Sequence, residues 1–326
     1  MNHLLIVSLS RSGGKLLRML LDGHPDFNVF PFEHWNRPSK NDIPTRRIAA
    51  FRDLSVDDKL ATAGASHAQR KLLRVHPEPV VAEVMRLWRV DAAGADTLPA
   101  MYECLARVYF PVIGGPPDAI VVNHCGSLCR FTRDQLDAVF GKGKHVLTIR
   151  DPRAVFSSMQ GLLDRKFGTA RAEDGHMSSS ALQRHLDKRE MVGSVSGYLQ
   201  DFCRDYRRMV AEYASRSDVI RLRFEDLVMS PVSTLQEVAA QLAVEFNPVL
   251  LTPTQLGAGH SPNSSFSRQG GSIHHEAAED WHGRIAPAEC RYIEDELAQE
   301  MAALGYQRLD RPGRSVLPTA PLLSGS

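Results

Sequence analysis

The run Ser8-Leu9-Ser10-Arg11-Ser12-Gly13-Gly14-Lys15 gathers residue types that bind an anion. Adjacent glycines let a main chain approach a phosphate or sulfate closely, and the free N–H groups at the start of a following helix attract negative charge. Arg11 and Lys15 flank those amides with two cations. The nucleoside triphosphatase pattern G-x-x-x-x-G-K-[ST] is broken twice. Leu9 stands where the first glycine belongs, and Leu16 replaces the hydroxyl that would hold Mg²⁺. A tight strand-to-helix turn with solvent-facing basic residues is the alternative reading of the same eight residues. Other spacings carry less chemistry. Cys125 and Cys129 lack a second pair or a histidine at finger spacing, and His274-His275 lacks a third ligand, so no metal is expected. Val146–Asp151 has the look of a Mg²⁺-binding strand, but without a hydroxyl after Lys15 it is a strand end.

The elements that must position this loop follow from periodicity. Residues 4–8 are apolar and β-prone, and after the glycines the apolar positions 16, 17, 20 and 21 have helical spacing, ended by Gly23-His24-Pro25. This is a strand, a loop and a helix. Residues 36–118 are expected to be a mostly helical insertion, with helices over 78–90 and 99–110. Strands are predicted at 118–123, 145–150 and 219–224, with helices at 132–140, 153–164, 190–214 and from Ser230-Pro231 to 243. The polar segment 165–180 and the Gly/Ser/Pro/Asn-rich segment 252–273 are expected to be loops. Pro287 opens a last helix that Gly305 closes. Residues 309–326 hold three prolines and little else, which predicts a disordered tail. Trp281 reads as packing, and Arg204, Arg207 and Arg208 as a solvated helix face. Strands alternating with helices predict one α/β domain over 1–308, its central sheet mostly parallel and flanked by helices.

Composition bounds the partners. Of 326 residues, 43% are hydrophobic and 24% charged, which is ordinary globular usage. Lys plus Arg total 39 against 38 Asp plus Glu, so neither nucleic acid nor an anionic membrane is drawn in by global charge. Any anion recognition must be local. Five scattered cysteines do not form a disulfide framework, which fits a reduced cytoplasm. No apolar run approaches the ~20 residues that span a bilayer, and Leu4–Val7 is too short for a signal-peptide core. A soluble, cytoplasmic protein is expected.

Further segments recur in a fixed order. Arg11-Ser12-Gly13, Leu16-Leu17, His24-Pro25 and Glu33 resemble the 5′-phosphosulfate loop of sulfotransferases, in the style of the tyrosylprotein and bacterial carbohydrate enzymes. Arg150-Asp151-Pro152-Arg153 with Ser157-Ser158 is similar to the 3′-phosphate motif of that superfamily. Phe224-Glu225-Asp226-Leu227 with Pro231 resembles its Y-E-D-L…P segment. Phe266-Ser267-Arg268-Gln269-Gly270 with Asp280-Trp281 is similar to the F-x-R-K-G…D-W signature of the cytosolic branch, and Leu304-Gly305-Tyr306 to a usual closing element.

The resemblance implies a P-loop nucleotide-kinase-like sulfotransferase fold and transfer of a sulfuryl group from 3′-phosphoadenosine 5′-phosphosulfate (PAPS) to a hydroxyl. The acceptor could be a carbohydrate, a small molecule or a tyrosine. It implies that Arg11, Ser12, Gly13, Gly14, Lys15 and Leu16 hold the phosphosulfate, and that Arg150, Ser158, Phe224, Arg268 and Gly270 hold the rest of the nucleotide. Arg11 and Lys15 would stabilise transition-state charge. Glu33 matches the catalytic glutamate of the tyrosylprotein-type enzymes, and His124 after Asn123 matches the histidine base of the cytosolic type. Both remain candidate bases. Gly14 and Lys15 replace two threonines of the pattern, Phe224 lacks a tyrosine hydroxyl, and Gln269 replaces a lysine. A kinase on the same fold, or a non-catalytic nucleotide-binding relative, is the alternative.

Overall fold

In the computed structural model, residues 2–33, 50–126, 131–172, 191–192, 195–259 and 272–309 are described. Five strands form one sheet: β1 (His3–Ser8), β2 (Phe27–Val29), β3 (Ile120–Gly126), β4 (Lys144–Ile149) and β5 (Val219–Arg223). Their spatial order is β2-β3-β1-β4-β5, and every pairing is parallel. A parallel sheet must be covered on both faces, so its strands are apolar throughout. β1 shows how. Leu5 and Val7 enter one core with Trp88, Met101, Tyr109 and Tyr206, while Leu4 and Ile6 enter a second with Leu17, Leu20, Leu235 and Leu242. The two-residue strand period sends alternate side chains to opposite faces.

Register brings the strand ends together. Ser8 of β1 lies opposite Gly126 of β3 and Thr148 of β4, so three carboxyl ends share one edge. Open α/β sheets bind ligands outside that edge. The loop after Ser8 leads into α1 (Gly14–Leu21), which packs under β1 and β3.

Residues 50–118 carry a short turn at Phe51–Asp53 and four helices: α2 (Val56–Thr62), α3 (Ala65–Leu72), α4 (Glu78–Ala92) and α5 (Leu98–Val112). Their apolar stripes join the larger core, with Trp88 of α4 donating its indole N–H to the Met101 carbonyl of α5. α6 (Arg133–Phe140) starts on a capping box in which the Thr132 hydroxyl and the Gln135 amide satisfy each other's main-chain N–H.

Several boundaries differ from the sequence expectation. β2 was not expected; three residues between Pro25 and Pro31 leave too short a pattern to detect, and only pairing with β3 makes them a strand. α7 (Pro152–Ala172) runs through the first part of the segment expected to be a loop. Residues 191–192 pair with 195–196 instead of being helical, and α8 (Gly197–Met209) begins after them, ending in a wider π turn over Val210–Ala214. α9 (Phe224–Met229) follows β5 directly and precedes α10 (Pro231–Leu242). The last helix is two, α11 (Pro287–Glu296) and α12 (Ala298–Ala303). Arg207 is not merely solvated: it bonds Glu296 and Glu300, fastening α8 to those helices. Thr254-Gln255 pairs with Ala258-Gly259 inside the expected 252–273 loop. The parts of that loop at 260–271, of the insertion at 36–49 and of the tail at 310–326 lie outside the described residues.

Candidate active site

The loop between β1 and α1 is held open by two left-handed residues, Arg11 (φ 75°) and Gly13 (φ 94°). At Gly13 a Cβ would lie 2.5 Å from Cδ2 of Phe224, so glycine is needed for conformation and for the ring beside it. At Gly14 a Cβ would lie 2.5 Å from His124 Nε2 and 2.7 Å from Ser8 Oγ. The glycine that replaces a threonine of the resembled pattern therefore makes room for a histidine.

Four distant segments meet on the other side of the loop. Arg11 Nε donates to Ser158 Oγ at 2.9 Å, joining the loop to α7. Arg150, at the end of β4, donates to the Arg11 carbonyl at 3.1 Å and to the Ala277 carbonyl at 2.7 Å. Its guanidinium lies 4.3 Å from the centre of the Phe224 ring. Burial pulls the Arg150 pKa down to about 10, against the opposing pull of Glu225. The partners of Arg150 on the protein are thus two main-chain carbonyls and an aromatic face. Its Nε is buried and makes no hydrogen bond, and neither does buried Ser12 Oγ.

A buried polar layer supports Arg150. Glu225 accepts from the Asp151 N–H and from the Tyr306 hydroxyl, each at 2.9 Å, and Tyr206 donates to the Arg150 carbonyl at 3.0 Å. Arg153 pairs with Asp151 and Glu294 and lies against Trp281, which is packed as expected. Burial raises the Glu225 pKa. Sequence alone gave Tyr206 no such role, because a tyrosine on an amphipathic helix is usually core.

The two candidate bases meet on the opposite side of the loop from Arg150. Glu33 Oε1 lies 3.8 Å from His124 Nδ1, and His124 Nε2 is 3.3 Å from Ser8 Oγ. His124 is buried, which pulls its pKa down to about 4 despite Glu33, and the ring is neutral near pH 7. Lys15 is lowered by burial first and then by Arg18, with Glu33 opposing. Arg18 is itself buried in α1 and lowered for that reason. It went unnoticed in the sequence, although a charge between Leu17 and Met19 on an apolar helix was a signal. Leu16 lies in the first turn of α1 and packs against the cluster of Phe224, Val228 and Ala278. Arg268 and Gly270 lie outside the described residues. Among the described residues, no group of three or more His, Cys, Asp or Glu could hold a metal, and no helix is long and apolar enough to cross a membrane.

The model of the sulfotransferase family matches residues 3–248, from the first strand to a few residues beyond α10. The chain belongs to that family. Among solved structures, this sulfotransferase is similar to the sulfotransferase domain of the Synechococcus PCC 7002 olefin synthase, with 21% identity over 93% of this chain and 94% of that one and a TM-score of 0.57. It is also similar to the sulfotransferase domain of the curacin biosynthetic pathway, with 17% identity over 91% and 97% and a TM-score of 0.52. At these identities the likeness is one of fold, and the sheet is that of a P-loop-like sulfotransferase. No curated protein matches the chain.

Proposed function

We propose that this sulfotransferase takes its sulfuryl group from PAPS and passes it to the hydroxyl of a carbohydrate, a small alcohol or phenol, or a tyrosine. The observation that carries the reading is the convergence of Arg11, Ser158, Arg150 and Phe224 on one side of the Gly13-Gly14 loop, with Glu33 and His124 on the other. The buried, unpartnered Ser12 Oγ and Arg150 Nε fit an anionic donor, since such atoms are costly unless a ligand supplies their hydrogen bonds. Arg150 and Ser158 would hold the 3′-phosphate, with Arg268 joining them, and Phe224 and Gly270 would lie along the nucleotide. The loop amides of Ser12, Gly13, Gly14, Lys15 and Leu16 would hold the 5′ end.

The reaction is an in-line displacement with electrostatic demands like those of phosphoryl transfer. Glu33 takes the proton of the acceptor hydroxyl as that oxygen bonds to sulfur. Arg11, Lys15 and the loop N–H groups receive the charge that builds on the departing 5′-phosphate oxygen, where preorganised donors help most. Neutral His124 backs Glu33 from inside. The helices α2–α5 of the insertion supply the acceptor side. Mass spectrometry with PAPS and an acceptor panel tests the reaction: a sulfate-sized mass gain supports it. Thermal shifts test the donor. Adenosine 3′,5′-bisphosphate should stabilise the protein more than ATP–Mg²⁺, and the reverse order would favour a kinase.

A further inference from the structure

Ser8 heads the anion-binding run, but its buried side chain points to His124 on the neighbouring strand. Leu4 and Ile6 of β1 and Val122 of β3 enter the core on the α1 side of the sheet. The two-residue strand period places Ser8 and His124 on that same face. A Cβ on Gly14 would lie 2.5 Å from His124 Nε2 and 2.7 Å from Ser8 Oγ, so ring and hydroxyl meet beneath the start of α1. Nε2 and Oγ are 3.3 Å apart. The other ring nitrogen, Nδ1, is buried, makes no hydrogen bond and faces Glu33 Oε1 at 3.8 Å. Ser8, His124 and Glu33 thus form a line from beneath the loop to the site.

A neutral imidazole carries one N–H and one lone pair, and the partner of each nitrogen decides which is which. An ionised carboxylate can only accept, so Nδ1 is the nitrogen that should hold the proton. Nε2 is then a buried acceptor that needs a donor. A serine hydroxyl can supply it. We propose that Ser8 is a positioning residue for the base: its hydroxyl donates to His124 Nε2 and pins the ring with Nδ1–H toward Glu33. Without that bond a half-turn of the ring would present carbon to Glu33 instead. The 3.8 Å separation is longer than a hydrogen bond, and catalytic contacts of this kind often tighten once substrate is bound. Nδ1–H would then hold Oε1 and leave Oε2 for the acceptor hydroxyl. This role of Ser8 rests on the reading of Glu33 as the base and adds the residue that orients its neighbour. Thr148 provides the contrast: it lies opposite Ser8 in β4, and its buried hydroxyl makes no hydrogen bond.

The test uses the full chain with ¹⁵N-labelled histidine and reads the His124 ring near pH 7 by long-range ¹H–¹⁵N spectra, its signals assigned by their loss in His124→Asn. Wild type should carry the proton on Nδ1. Ser8→Ala should move the Nε2 signal downfield, as a lone pair does on losing its donor, and Thr148→Val should not. With an acceptor that turns over, Ser8→Ala should lower kcat about three- to tenfold, the worth of one neutral hydrogen bond, with KM for PAPS within about twofold. In a His124→Asn background the same change should cost less than about twofold. A wild-type proton on Nε2, an Nε2 signal unmoved by Ser8→Ala, or an equal kcat loss in the His124→Asn background overturns the role of Ser8. The wild-type spectrum decides even where Ser8→Ala does not fold. Absence of turnover with PAPS for every acceptor overturns the donor reading instead, and the spectra still decide the ring.

Discussion

Glu33 Oε1 and His124 Nδ1 face each other across 3.8 Å, one side chain 40% exposed and the other 3%. Sequence comparison presents them as rival bases; the fold presents them as neighbours. The exposed carboxylate is open to a substrate, as a base must be, while the buried imidazole lies beside Ser8 Oγ and fills the space that a Gly14 side chain would need. Glu33→Gln is expected to remove most turnover while sparing nucleotide binding, because the amide keeps the shape and loses the basicity. His124→Asn should cost less. Activity measured with any acceptor that turns over decides it, and loss confined to the histidine variant, with circular dichroism unchanged, would reverse the assignment.

The buried His124 also sets a pH dependence of stability. Its pKa falls from 6.5 to about 4 on folding, so between those values the unfolded chain binds the proton and the native chain does not. Stability is therefore complete above pH 6.5 and is lost as pH falls toward 4, a difference of about 2–4 kcal/mol for this group. Burial lowers His3 and His145 in the same direction. Thermal denaturation from pH 7.5 down to 4.5 should show a falling midpoint, with a shallower slope in a folded His124→Gln variant. An unchanged slope would mean that His124 is not held neutral.

Gly14→Ala should be costly although the helical backbone tolerates alanine. Its Cβ would meet His124 Nε2 at 2.5 Å and Ser8 Oγ at 2.7 Å, so ring and loop must move. Overpacking of this kind costs about 1–3 kcal/mol. Chemical denaturation and turnover should both report it, and wild-type behaviour in both would contradict the close packing.

Arg11→Ala is expected to lower turnover about a hundredfold or more, since losing one transition-state donor costs about 3 kcal/mol. It also releases the Nε contact to Ser158. Near-normal turnover at saturating PAPS would show that Arg11 does not serve the reacting end.

Arg150→Ala should weaken adenosine 3′,5′-bisphosphate by roughly ten- to a hundredfold, from one or two charge-assisted bonds of ~1.5–3 kcal/mol each. AMP, without a 3′-phosphate, should be affected much less. An equal loss for both nucleotides would mean that Arg150 serves only the carbonyls of Arg11 and Ala277.

The sequence by itself determined what depends on neighbours along the chain. The apolar run to Ser8, the glycines and the helix after them specify a βα unit with an anion-binding loop, because strand pattern, turn chemistry and helix spacing are local. Four ordered motifs were enough to suggest the family, and the parallel sheet followed from alternating elements. Tertiary structure decided what depends on approach between distant segments. No spacing tells that residues 33 and 124 end 3.8 Å apart, or that the Gly14 position is kept small by a histidine 110 positions away. The protein partners of Arg150 were equally hidden: they are two main-chain carbonyls and a phenyl face from distant segments. β2 exists because β3 supplies its hydrogen bonds, and three residues cannot announce that alone. Local sequence fixes the backbone's menu at each point; long-range packing fixes which side chains share a site.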